Sequence, residues 1–144
     1  MNEHKKIIID INVRFKDIDS MNHVNNAVYF TYFEEGRKEF VQSVFGIVDP
    51  EDYNFIIAHI SCDYLKPVKI SDEVFLEIWV GDIGRKHFEF IYRLIGKNMN
   101  NKSEVYAKGK SVQVFFDYVK NAVIPIPEHI IKKISEFSYG QMEK

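Results

Sequence analysis

Between Asp17 and Asn26 the chain gathers Asp17, Asp19, Asn22, His23, Asn25 and Asn26, and no other segment concentrates so many side chains that could do chemistry. An alternating stretch precedes the segment and a helical pattern follows it, so it sits where a strand runs out and a helix begins. Backbone amides at a helix start lack intrahelical acceptors and carry partial positive charge. They can hold an oxyanion. A carboxylate beside them could act as general base or nucleophile, and a histidine could orient a substrate or polarise a carbonyl. Asp and Asn also serve as ordinary turn and cap residues, and the bare pattern leaves both readings open.

The flanking elements decide how such a segment is held. Ile9, Ile11, Val13 and Phe15 alternate with Asp10, Asn12, Arg14 and Lys16, a period of two that predicts a strand with one buried face. From Ala27 the period changes. Tyr29, Phe33, Gly36, Phe40, Val41, Val44 and Phe45 recur at three- and four-residue spacing, with Glu34, Glu35, Arg37, Lys38 and Glu39 on another face. This predicts a helix of about five turns over 27–45 with an aromatic stripe, Asn25 or Asn26 at its N-cap and Gly46 as its stop. The segment 47–54 reads as loop.

Strands are predicted over 55–65, 73–83, 86–95 and 103–117. In the last, the apolar phase shifts around Gly109, from Val105 and Ala107 to Val112, Val114 and Phe116, which predicts a bulge or bend. Pro127 and Glu128 open a short closing helix with Ile130, Ile131, Ile134 and Phe137 at helical spacing. Strand, long helix, four strands and short helix make an α+β domain, an antiparallel sheet of five or six strands wrapped around one helix. The sheet edges favour dimerisation.

Composition narrows the class. The chain has 144 residues, 46% of them hydrophobic and 15% aromatic, which fits one domain, 1–144, with a real core. A formal net charge of −2 argues against bulk nucleic-acid or anionic-membrane binding. One cysteine excludes a disulfide framework or a Cys-rich zinc module. No apolar run reaches a membrane-spanning length and Met1 to Lys6 lead into no signal-peptide core, so a cytoplasmic protein is expected.

The run from Arg14 to Tyr29, with Asp17, Asp19, His23, Val24, Asn25, Asn26 and Tyr29 at their spacing, resembles the signature of hotdog-fold acyl thioesterases. It is similar to the 4-hydroxybenzoyl-CoA thioesterase-like group, including its acyl-carrier-protein thioesterase branch. Tyr32 to Arg37 is similar to that group's helix, and Asp63 to Val74 to its segment of the form Y-L-x-P-V. The resemblance implies a hotdog domain forming a homodimer, often a homotetramer, with active sites at the subunit interface. It implies hydrolysis of acyl-CoA to free acid and CoA, with no cofactor beyond the CoA or phosphopantetheine carried by the substrate. Asp19 takes the catalytic carboxylate position, as general base or nucleophile. His23 takes the histidine position, and Asn25 and Asn26 match the helix-start asparagines. Amides around Asn25 to Ala27 would hold the carbonyl oxygen. One position departs: the acyl-carrier-protein branch has asparagine two residues after the aspartate, where this chain has Met21, with Asn22 next.

Several residues stay open between function and structure. Tyr29 leads the aromatic stripe and could line an acyl pocket, though most of the stripe must be core. His59 could face a partner's active site or simply occupy a strand. His87 and His129 read as surface residues, and the histidines lack metal-ligand spacing. Cys62 reads as structural, since nothing beside it in sequence would activate a thiol. Lys66, Lys69, Arg85, Lys86 and Lys110 are candidates for the phosphates of a CoA tail. Arg85 and Lys86 lead, because Gly81 and Gly84 let a ligand approach that turn. The rival readings are an acyl-carrier-protein thioesterase, a hotdog dehydratase or hydratase, and a dimer that binds acyl thioesters without turnover.

Overall fold

The computed structural model describes residues 5–49, 52–97 and 100–138. Met1 to His4 and two residues of the 47–54 segment lie outside the described residues. Among the described residues six strands form one antiparallel sheet: β1 (Ile7–Ile11), β2 (Phe55–Tyr64), β3 (Val74–Ile83), β4 (His87–Lys97), β5 (Ser103–Asp117) and the short β6 (Ala122–Val123). Their order is β1-β3-β4-β5-β2, with β6 on β5. The sheet curves around α1 (Val28–Phe40), and α2 (Glu128–Ser135) closes one end. This is the α+β hotdog arrangement that the resemblance implies.

The core follows the predicted alternation where it is purely apolar. Val74, Leu76, Ile78 and Val80 of β3, and Phe88, Phe90, Tyr92 and Leu94 of β4, are buried against Tyr29, Tyr32, Phe33 and Phe40 of α1. Phe33 stacks on Tyr92 at 4.3 Å between ring centroids. Gly36 and Gly109 allow this close approach. A Cβ on Gly109 would stand 2.4 Å from the Phe33 ring and 2.9 Å from the Ser61 carbonyl oxygen.

Four expectations need correction. β1 stops at Ile11, because β3, its one strand partner among the described residues, begins at Val74 and the ladder ends at the Ile11–Val74 pair. Phe15 therefore leaves the strand, joins a single 3-10 turn (Phe15–Asp17) and is 87% exposed. The helix proper starts at Val28 with Ala27 at the cap position, not Asn25 or Asn26. Past Phe40 it widens into a π turn (Val41–Phe45) before Gly46, whose φ of 73° ends it as predicted.

The bulge in β5 lies at Tyr106, between the Leu94–Ala107 and Ile95–Val105 pairs, rather than at Gly109. The inward residues beyond it are Ser111, Gln113 and Phe115, while Val112 and Val114 face outward, half-exposed. Ser111 and Gln113 are buried because they are bonded. The Tyr92 and Ser111 hydroxyls share a hydrogen bond, Ser111 Oγ donates to Gln113 Oε1, and Gln113 Nε2 donates to Phe88 O at 3.1 Å. Arg37 reaches the same chain from α1, donating to the Tyr92 hydroxyl at 3.0 Å.

Candidate active site

The segment between β1 and α1 is a compact loop whose backbone groups are bonded at almost every position. Asp19 N–H donates to His23 O and Asn22 N–H to Asp19 O, both at 2.9 Å. Asn22 adopts a left-handed φ of 66°, which asparagine tolerates better than most residues. Val24 N–H donates to Val68 O at 2.8 Å, tying the loop to the segment after β2, and Asn25 N–H donates to Asp17 O at 2.9 Å.

The two aspartates are held differently. Asp17 is 2% exposed. Its carboxylate accepts from the Tyr32 hydroxyl at 2.8 Å, from Arg14 N–H at 3.0 Å and from the Arg14 guanidinium at 3.4 Å. Burial, then the hydrogen bond to Asp17, pushes the Tyr32 hydroxyl well above the usual phenol pKa, so Tyr32 stays a donor. Asp19 is half-buried and accepts Met21 N–H, at 2.9 Å, on Oδ1. Among the described residues nothing bonds its other oxygen.

Asp19, His23, Asn25, Asn26 and Tyr29 line one cavity of about 400 Å³. Its far wall is Tyr64, Leu65, Lys66 and Pro67, and Met21 stands at the rim, 71% exposed. The sequence reading gives Tyr64, Leu65 and Pro67 no role. The signal for them was the family-like segment that contains them, which the Val24–Val68 bond brings beside the aspartate loop. Tyr29 is buried in the wall, which raises the pKa of its hydroxyl. Its ring meets the Tyr64 ring edge-on at 4.8 Å.

The helix start offers fewer free amides than expected. Ala27 N–H donates to Asn25 Oδ1 and Val28 N–H to Asn25 O, both at 2.9 Å. Asn25 N–H is spent on Asp17. Of the amides from Asn25 to Ala27, only Asn26 N–H has no acceptor among the described residues.

The remaining candidates lie elsewhere. His59 is exposed in the middle of β2, and Arg85 and Lys86 are exposed in the β3–β4 turn; none lines this cavity. Tyr64 is level with Ala107 and Leu94, whereas His87 begins β4, so that turn lies ~24 Å away along the strands. Lys66 borders the cavity but pairs with Glu104 over the Tyr106 ring, and Lys110 pairs with Glu89 at 3.7 Å. Cys62 packs on the core, and burial pushes its thiol up to about 11. Among the described residues no group of three or more His, Cys, Asp or Glu side chains could hold a metal, and no helix is long and apolar enough to cross a membrane.

Residues 13–134 match the family described as the thioesterase-like superfamily. The chain is 26% identical to the uncharacterized Bacillus subtilis protein YsmA over 92 residues, 64% of this chain and 61% of that one. A chloroplastic acyl-acyl carrier protein thioesterase of Arabidopsis thaliana is 27% identical over 136 residues, 90% of this chain and 67% of the relative. Among solved structures, a Thermus thermophilus thioesterase complexed with coenzyme A and zinc is 31% identical. It superposes with a TM-score of 0.77, covering 90% of this chain and 92% of that one. By its family match and its fold, the chain belongs to the thioesterase-like superfamily.

Proposed function

We propose that the chain, as one domain, hydrolyses acyl-CoA thioesters to the free acid and CoA, with Asp19 as the catalytic carboxylate. One observation carries the reading: a carboxylate, a histidine and an unbonded helix-start amide border the same cavity. In a general-base route, the free oxygen of Asp19 takes a proton from water. The hydroxide attacks the thioester carbonyl, the C–S bond breaks, and the thiolate leaves and takes up the proton. In a nucleophilic route, the oxygen attacks the carbonyl itself, the C–S bond breaks and CoA thiolate leaves a mixed anhydride; water then opens the anhydride to the free acid and the Asp19 carboxylate, and its proton goes to the thiolate. Both routes gather negative charge on the carbonyl oxygen, and Asn26 N–H is the donor that meets it. His23 orients water or substrate, Asn25 holds the turn, and Tyr29 gives the acyl group an apolar wall.

Arg85 and Lys86 enter this reading through a second copy. β2 pairs with β5 on one side, and its other edge has no strand partner among the described residues. Two copies joined antiparallel along that edge bring the partner's Phe55 end beside this chain's Tyr64 end. Ile56 and His87 are both level with Val114, so the partner's β3–β4 turn arrives at the same end as Asp19. It would stand about 14 Å from β2, three strand spacings away, where two cations suit the phosphates of CoA. His59, in mid-strand, then lies beside the two-fold axis. The coenzyme A in the Thermus relative supports CoA as the thiol half.

The Arabidopsis relative favours a second reading, in which the thiol belongs to acyl-carrier protein. Thiol release from a panel of acyl-CoAs and acyl-carrier proteins tests both. Release from CoA substrates is the expected result. Release from carrier protein alone supports the second reading, and hydration of an enoyl substrate would assign a hydratase. Tight binding with no release would reduce the protein to an acyl-thioester binder.

A further inference from the structure

We infer that Tyr64 is a positioning residue of this site: its hydroxyl fixes the turn that aims the Asn26 amide into the cavity. The inference rests on the thioesterase reading above and adds a residue to it. Tyr64 ends β2, and its ring spans the gap from the sheet edge to the helix start. The hydroxyl donates to Asn26 O at 2.8 Å, and the ring rests edge-on against Tyr29.

The turn it grips is otherwise tied down on every side but one. In a trans peptide the N–H and C=O point in opposite directions. Asn25 O accepts Val28 N–H, so the N–H of that same peptide unit, Asn26 N–H, points away from the helix, at a residue that lines the cavity. The next peptide unit carries Asn26 O on one side and Ala27 N–H on the other. Tyr64 holds the first and Asn25 Oδ1 the second. With both peptide planes fixed, the free amide cannot swing. Without the phenol, the Asn26–Ala27 plane loses one of its two anchors and the amide beside it gains freedom to tilt. An oxyanion donor off its line is weakened at the carbonyl oxygen, where charge develops, and a displacement of 1 Å can cost about a hundredfold in rate.

The experiment is Tyr64→Phe, which keeps the ring contact with Tyr29 and removes only the hydroxyl. Turnover of the best acyl-CoA substrate should fall about tenfold with KM within about twofold, because the anchor acts on transition-state charge rather than on ground-state binding. A merely structural role would lower stability and leave that kcat-against-KM split absent. A second measurement is independent of turnover. A CoA ketone analogue, with a methylene between carbonyl and sulfur, should shift the Asn26 amide resonance in the wild type and shift it less in Tyr64→Phe. Wild-type kcat in the variant, or an Asn26 amide that ignores the ketone, would overturn the role of Tyr64 while leaving thioesterase activity intact. A wild-type protein that releases no thiol from any substrate overturns both readings together.

Discussion

Asp17 and Asp19 stand one residue apart, yet their surroundings give them opposite work. Asp17 has its oxygens taken up by Tyr32 and Arg14 in a site closed to water, so it is spent on structure. Asp19 has one oxygen anchored and the other open to a cavity. Asp19→Asn should therefore cut kcat by about 10²- to 10⁴-fold, while circular dichroism and melting temperature stay near wild type, since the amide oxygen can still accept Met21 N–H. Full turnover in that variant would sink the assignment. Asp17→Ala should do the reverse at the level of the fold. It strands the Tyr32 hydroxyl in the core and should cost about 2–4 kcal/mol in urea denaturation. The resemblance puts Asp19 at the catalytic position, but the spacing D-x-D alone does not show how differently the two carboxylates are held. That follows from the 3-10 turn at Phe15–Asp17, which turns Asp17 inward, and a strand continued through Phe15 would have aimed the two side chains together.

At the scale of elements, the sequence was legible where burial and apolarity coincide. β3 and β4 alternate as read, and Gly46 ends the helix, because an apolar face and a left-handed stop leave direct marks. It was not legible where a polar residue is inside. Ser111 and Gln113 are buried because Tyr92 and Phe88 O satisfy them, and no periodicity of apolar residues reveals a partner on another strand. The same holds for the start of α1, where Asn25 bonds Ala27 within a turn before the helix proper. Gly109 matters for the ring above it, not for a bulge. Gly109→Ala should destabilise by about 1–3 kcal/mol, measured in denaturant, as Phe33 is forced off its stack with Tyr92. Glu77 ties three strands, accepting Lys6 beside β1 and Arg93 of β4, both at 2.7 Å. Burial raises its pKa, but the two cations more than offset this and hold the carboxyl below the usual glutamate value. A depressed folded-state pKa means that the unfolded chain takes up the proton first. The stabilisation is therefore present at neutral pH and fades as pH falls through the carboxylate range. Glu77→Gln should lower stability by about 1–3 kcal/mol at pH 7, and the gap to wild type should shrink on acidification. A gap that stays constant with pH would mean that the charge contributes nothing.

Most of the described chain is one sheet and one long helix, and the ends of the strands sort the charged residues. Asp19, His23 and the free Asn26 amide gather at the Tyr64 end of β2, while Arg85 and Lys86 gather at the Phe55 end. One copy therefore holds the two halves of the proposed site apart, and an antiparallel pair of copies brings them together twice. This geometry predicts complementation. Asp19→Asn should leave a dimer without turnover, and Arg85→Ala with Lys86→Ala should leave one whose KM for acyl-CoA is raised with kcat less affected. In a heterodimer of the two, one site combines an intact Asp19 with the partner's intact Arg85 and Lys86, and the other site carries both defects. Random reassortment of equal amounts gives half heterodimers, each with one whole site of two. Activity at low substrate should therefore recover to about a quarter of the wild-type rate per dimer. If each site were built from one chain, mixing would restore nothing beyond the activity of the Arg85, Lys86 variant. Sedimentation fixes the premise, because the wild type must run at no less than twice the 17.0 kDa chain mass. A lysine in place of Ile57 on the open β2 edge should shift it toward the monomer. A monomeric wild type with full activity would remove the partner from the site altogether.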